Sequence, residues 1–101
     1  MTAYLIVRAE VDPSVRDAFE TWYENEHLPD AHREFETVSA KRGWSSVVDN
    51  VHIAFYEFAD LAAAEALMNS DTLKSFIAEF DRNWGDKVKR TREVVEFSQT
   101  L

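Results

Sequence analysis

Two segments of this 101-residue chain, Ala3–Val11 and Val51–Phe58, carry apolar side chains on both faces of any strand they form. Tyr4 and Ile6 face opposite to Leu5 and Val7; Val51, Ile53 and Phe55 face opposite to Ala54, Tyr56 and Phe58. A sheet with one wet face alternates apolar and polar along each strand. These strands do not, so a sheet that contains them needs cover on both sides.

Helices are available for one side only. Asp12-Pro13 breaks the first strand, and Pro13 or Ser14 opens a helix with Asp17 and Glu20 near its first turn, where the dipole favours anions. That helix is expected to end near His27, because Leu28 precedes Pro29 and is biased out of the helical region. A second strand spans Thr37 to Val48, turned at Asp49-Asn50 into Val51–Phe58. Asp60 is an N-cap for a short helix, Leu61 to Met68. After Asn69-Ser70-Asp71, a further helix places Leu73, Phe76, Ile77, Phe80 and Trp84 on one stripe, and Gly85 stops it. Lys87 to Ser98 is the last strand, with Val88, Arg90, Arg92, Val94 and Glu96 sharing a face. The order β-α-β-β-α-β predicts one α+β domain over residues 1–101, a ferredoxin-like sandwich with a four-stranded antiparallel sheet. No spare element remains for the second face, so a second copy of the chain is the expected cover and a homodimer the expected assembly.

Composition bounds the function. The net charge of −8 argues against nucleic acid as a partner, since binding it requires basic surface. No apolar run approaches ~18 residues, so no membrane span is expected, and the N-terminal sequence lacks a signal-peptide pattern. Zero cysteines removes thiol nucleophiles, iron–sulfur clusters and cysteine zinc sites, and fits a cytoplasmic location. With two glycines there is no phosphate-binding loop, and no G-x-S-x-G elbow is present. His27, His32 and His52 are too scattered to predict a metal site. No cofactor signature is visible.

The chemistry-bearing stretch is Phe19 to Pro29, F-E-T-W-Y-E-N-E-H-L-P. At ~100° per residue, Val15, Ala18, Phe19, Trp22 and Tyr23 form one apolar stripe whose next position is Glu26, with His27 at its edge. An ionisable pair where the pattern asks for leucine marks a candidate site. His27 has an ordinary pKa near ~6.5, suited to proton transfer. Its bland alternative is a cation capping carbonyls at a helix end. Glu26 is expected to point toward the sheet, either as a carboxylate perturbed by burial or in an ion pair with Arg8, Arg42 or Arg92. Arg8, on a central strand, is expected to pair with Glu10, Glu57 or Glu93.

The segment W-Y-x-x-E-H-x-P, Trp22 to Pro29, resembles the first-helix motif of EthD-like proteins in the dimeric α+β barrel superfamily. Their relatives include small monooxygenases, polyketide cyclases, muconolactone isomerases and haem-degrading enzymes. The resemblance implies two protomers pairing their sheets into a barrel, each with a pocket between sheet and helices. The polar segment Asp30 to Glu36, without glycine, departs from the pattern. The expected pocket is lined by Trp22, Tyr23, Phe55, Tyr56, Phe76 and Phe80, with His27 and Glu26 as catalytic candidates. The leading reading is a small-molecule enzyme or accessory protein of this type, with cofactor-free proton-transfer or oxygenation as its expected chemistry on an aromatic or polyketide-like ligand. The alternative is a non-catalytic small-ligand-binding or scaffolding homodimer. An enclosed cavity of ~300 Å³ or more reaching His27 favours the first, and a filled core the second.

Overall fold

The computed structural model describes residues 1–101. Four strands, β1 (Ala3–Val11), β2 (Ser39–Trp44), β3 (Val51–Phe58) and β4 (Val88–Glu96), form one antiparallel sheet in the order β2-β3-β1-β4. Four helices, α1 (Arg16–Trp22), α2 (Leu28–Glu34), α3 (Leu61–Met68) and α4 (Asp71–Trp84), complete the ferredoxin-like α+β arrangement. The expected Asp60 cap and Gly85 stop are in place, and Ser70 caps α4 in addition. Asp60 Oδ1 accepts the Ala63 N–H at 2.9 Å, Ser70 Oγ accepts that of Leu73 at 3.1 Å, and Gly85 ends α4 with φ of 51°.

The first helix does not stop at His27. Leu28 is helical (φ −66°, ψ −46°), and α2 runs on from α1 through a π-helical turn, Tyr23–His27, in which the Leu28 N–H reaches the Tyr23 carbonyl. Pro29 in a regular helix would lack a donor and clash with the carbonyl four residues back. The wider turn directly before it absorbs that conflict, so the proline bias is overridden rather than obeyed. The second strand is also shorter than expected. Ser45 Oγ accepts the N–H groups of Val47 (3.1 Å) and Val48 (3.0 Å), turning the backbone away from the ladder.

Register separates the two faces. Leu5, Tyr56 and Val94 share one row, Val7, Ala54 and Arg92 the next, and Ala9, His52 and Arg90 a third, all on the helix-covered side. Phe19 of α1, fully buried, is the centre of that core; its ring meets those of Trp22, Tyr23, Trp44, His52, Phe80 and Trp84. Glu20 bolts α1 to β2: its carboxylate takes Arg42 through two bonds (2.8 and 2.6 Å) and the Trp44 indole N–H at 2.8 Å. The opposite face carries Tyr4, Ile6, Arg8, Ile53, Phe55, Glu93 and Val95. Arg8 is exposed there beside Ile53 and Thr91 and makes no ion pair, contrary to expectation.

His52 is the core's polar exception, 1% exposed, ringed by Phe19, Tyr23 and Trp44 and with Nε2 3.4 Å from Arg42 Nη1. Burial first, then the Arg42 charge, lower its pKa to about 4. A histidine depressed in the folded state binds its proton more readily when unfolded, so its contribution is full above ~6.5 and is lost as pH falls toward 4. Chemical denaturation across pH should therefore show stability declining through that window, with up to about 3 kcal/mol traceable to His52. His52→Phe should flatten that share of the slope; an unchanged slope would refute the assignment.

Candidate functional site

A narrow slot opens between the helix layer and the covered face of the sheet. Tyr23 and His27 from the π turn, Tyr56 from β3, Phe76 and Phe80 from α4, and Arg90 and Arg92 from β4 all line it, over a floor of Leu5 and Val7. Its free volume is about 30 Å³, room for one or two waters and far below the ~300 Å³ of a ready-made ligand pocket.

The π turn decides which side chain enters. By regular helical arithmetic Glu26 should follow Tyr23 inward. The extra residue in the turn shifts the phase, so His27 takes that place and Glu26 is exposed on the outer side, near Asp17 and Thr21. Glu26 is thus corrected out of the slot. Nor does it pair with a strand arginine, since Arg42 is taken by Glu20. Phe55 is corrected likewise: next to Tyr56 on β3, it projects from the opposite face. Trp22 backs the slot rather than lining it. Its indole stacks on His27 with ring centroids 4.5 Å apart and planes at 22°.

His27 is half-buried among Trp22, Tyr23 (4.7 Å), Phe76 (5.7 Å) and Phe80 (5.9 Å). Burial, then the Arg90 charge, lowers its pKa to about 4, against a smaller upward pull from Asp30. At neutral pH it is an uncharged imidazole that can accept a proton. Its alternative role as a helix-end cation fails on geometry, because the helix does not end there.

The Tyr23 and Tyr56 hydroxyls lie 2.9 Å apart, both side chains buried. Burial raises the Tyr23 pKa to about 12 and that of Tyr56 well above the usual value, so both stay protonated. Two hydroxyl protons share one mutual bond and neither oxygen has another protein partner, leaving one O–H donor unspent.

Arg90 and Arg92 were not among the expected site residues, although the alternation of the last strand already set them on one face with Val88 and Val94. Charged residues sharing a strand face with core valines were the available signal. The histidines do not converge: His32 Nδ1 bonds Thr37 Oγ1 at 2.6 Å, and no group of three or more acidic or histidine side chains is placed to hold a metal.

No protein-family model matches the chain, and no curated protein is similar to it in sequence. Solved structures are similar in shape. An EthD family protein from Bacillus halodurans superposes with a TM-score of 0.74 at 20% identity, over 96% of this chain and 99% of that one. SnoaB, a cofactor-independent oxygenase from Streptomyces nogalater, gives 0.69 at 13% identity, over 99% and 96%. A dimeric ferredoxin-like protein from an uncultured marine organism gives 0.67 at 14% identity, over 99% and 98%. The chain shares with them the ferredoxin-like fold along nearly its whole length.

Proposed function

We propose that this protein is a homodimeric small-molecule enzyme of the EthD-like, dimeric α+β barrel kind, in which His27 removes a proton from an aromatic or polyketide-like ligand without a bound cofactor. The observation that carries this reading is the company of His27. An imidazole, a tyrosine hydroxyl pair and two arginines meet in a slot otherwise made of Leu, Val, Ile and Phe. Each buried polar group costs free energy that a purely structural core would avoid by using apolar residues. Placed together around free space, they form a base and a set of donors for the negative charge that proton removal creates. The carbanion or enolate would then be reprotonated in an isomerisation, attack a carbonyl in a cyclisation, or react with dioxygen. The resemblance to a cofactor-independent oxygenase in fold lends weight to the last of these.

The narrowness of the slot favours a second reading, a non-catalytic binding or scaffolding homodimer. Turnover separates the two. A thermal-shift screen of aromatic and polyketide ligands identifies a binder, since a ligand that binds only the native state raises the melting temperature. With that compound, His27→Gln should lower kcat by ~10²–10⁴-fold with little change in KM or melting temperature. Because catalysis needs the neutral imidazole, kcat/KM of the wild type should hold down to about pH 5 and fall below about 4. Full activity in the His27→Gln protein would sink the catalytic reading.

The dimer rests on the uncovered sheet face, where Tyr4, Ile6, Ile53, Phe55 and Val95 stand half-exposed. A stable pair buries ~800 Å² per partner, which a four-stranded face can supply. Sedimentation should give about twice the 11.7 kDa protomer mass at micromolar concentration. Phe55→Glu should yield monomers by placing a charge in the interface, and a wild-type monomer would remove the dimer from the proposal.

A further inference from the structure

Arg90 carries a charge that the fold leaves largely uncompensated. Its side chain is 11% exposed, yet its one carboxylate contact is Asp81 at 3.4 Å, on a side chain 68% exposed to water. The guanidinium carbon lies 3.7 Å from the centre of the Phe80 ring, which orients the group without neutralising it. Of five N–H donors, one is spent, at the long end of the hydrogen-bond range. Arg92, two residues on and bordering the same slot, makes no ion pair at all. The tyrosine pair adds its unspent O–H. No carboxylate lines the slot, so its polar walls offer two guanidinium groups and a spare O–H as donors, set against one basic group, the His27 imidazole. In a chain of net charge −8 whose acids lie outside, this inverted interior is specific.

We infer that the slot recognises an anion: a planar oxyanion on an aromatic or conjugated body, held by Arg90 and Arg92 with the Tyr23–Tyr56 pair donating to the same group. This deepens the reading of His27 as a base and rests on it for the reaction, though not for the binding. Guanidinium matches a planar oxyanion through paired N–H bonds, and a desolvated setting strengthens each of them. Two chemistries present such a group, a carboxylate and an ionised phenol or enol. Seating the anion on Arg90 would also cancel the charge that opposes protonation of His27. Besides Arg90, the charged or titratable groups around the imidazole are Arg92 of β4, Asp30 of α2, Tyr23 of the π turn, and His52 and Tyr56 of β3, while α4 presents only Phe76 and Phe80. Anion binding and proton acceptance at His27 are thereby coupled.

Calorimetry on the full chain with benzoate, 4-nitrophenolate and neutral benzamide, at mildly alkaline pH, tests this. At least one anion should bind about tenfold or more tighter than benzamide, the worth of one charge-assisted bond. Stronger benzoate binding assigns a carboxylate, and stronger nitrophenolate binding an ionised phenol or enol. Arg90→Gln and Arg92→Gln should each lose about tenfold for the preferred anion and nothing for benzamide, while His27→Gln keeps the preference. Should Arg90→Gln fail to fold, Arg92→Gln carries the test, with circular dichroism confirming its structure. Benzamide binding as tightly as both anions, or no anion binding at millimolar concentration, overturns the inference. An anion preference beside a fully active His27→Gln protein leaves this site standing and removes the base; loss of turnover in an anion-indifferent enzyme does the reverse.

Discussion

The π turn at Tyr23–His27 is the constraint on which the rest of the site depends. A regular helix through this segment would set Pro29 against a carbonyl and carry Glu26 to the inward position. A helix stopped at His27 would leave Asp30 to Glu34 without structure and put the imidazole at a terminus. The single widened turn resolves both problems at once. It admits the proline, lets α2 continue, and turns the phase so that the imidazole follows Tyr23 into the slot. The cost of poorer hydrogen-bond geometry in that turn is borne where a side chain must be aimed, a common setting for such bulges.

Around that turn the polar groups are sorted by whether they are already satisfied. Arg42 is closed by a bidentate carboxylate and an indole shares the same acceptor, so this cluster is finished and acts as a bolt between α1 and β2. The Glu20 carboxyl is held at about 2, first by Arg42 and then by Trp44. At the other edge of the sheet, on β4, the sorting reverses. Arg90, Arg92 and the tyrosine pair keep donors in reserve, and His27 is held uncharged by burial and by Arg90. Finished networks rigidify and unfinished ones await a partner, and both occur on one sheet face within three rows of register.

Much of this was legible in the amino-acid sequence. The strand and helix order follows from periodicity, and Asp60, Gly85 and Asn50 act as the cap, stop and turn they resemble. Tyr23, Tyr56, Phe76 and Phe80 reach the slot because strand and helix phase is well defined where no proline or bulge intervenes. What was not legible around the π turn is a matter of local backbone geometry. Glu26 was misplaced because a local change of helical pitch leaves no mark in side-chain pattern, and Leu28 because a backbone bias of ~1–3 kcal/mol yields to packing around Phe19 and Ala31, both fully buried. Phe55 lies outside the slot for a different reason. Adjacent strand residues cannot share a face, so grouping it with Tyr56 ignored the period of two. The arginines of β4 share a face with Val88 and Val94, but alternation alone does not say where along that face the helix layer leaves a slot.

The two faces of the sheet explain why so short a chain can hold a site at all. A domain of this length has one core, and a slot within it removes packing that the protomer can scarcely spare. The free volume of about 30 Å³ shows how little has been given up. Pairing through the other face would add buried apolar area without touching the slot, since the residues of the two faces alternate along every strand. Stability gained there would offset unspent donors and free space here. With such pairing, the apolar character of β1 and β3 on both faces would be one feature with two consequences: one face would close the protein, and the other would be free to stay incomplete.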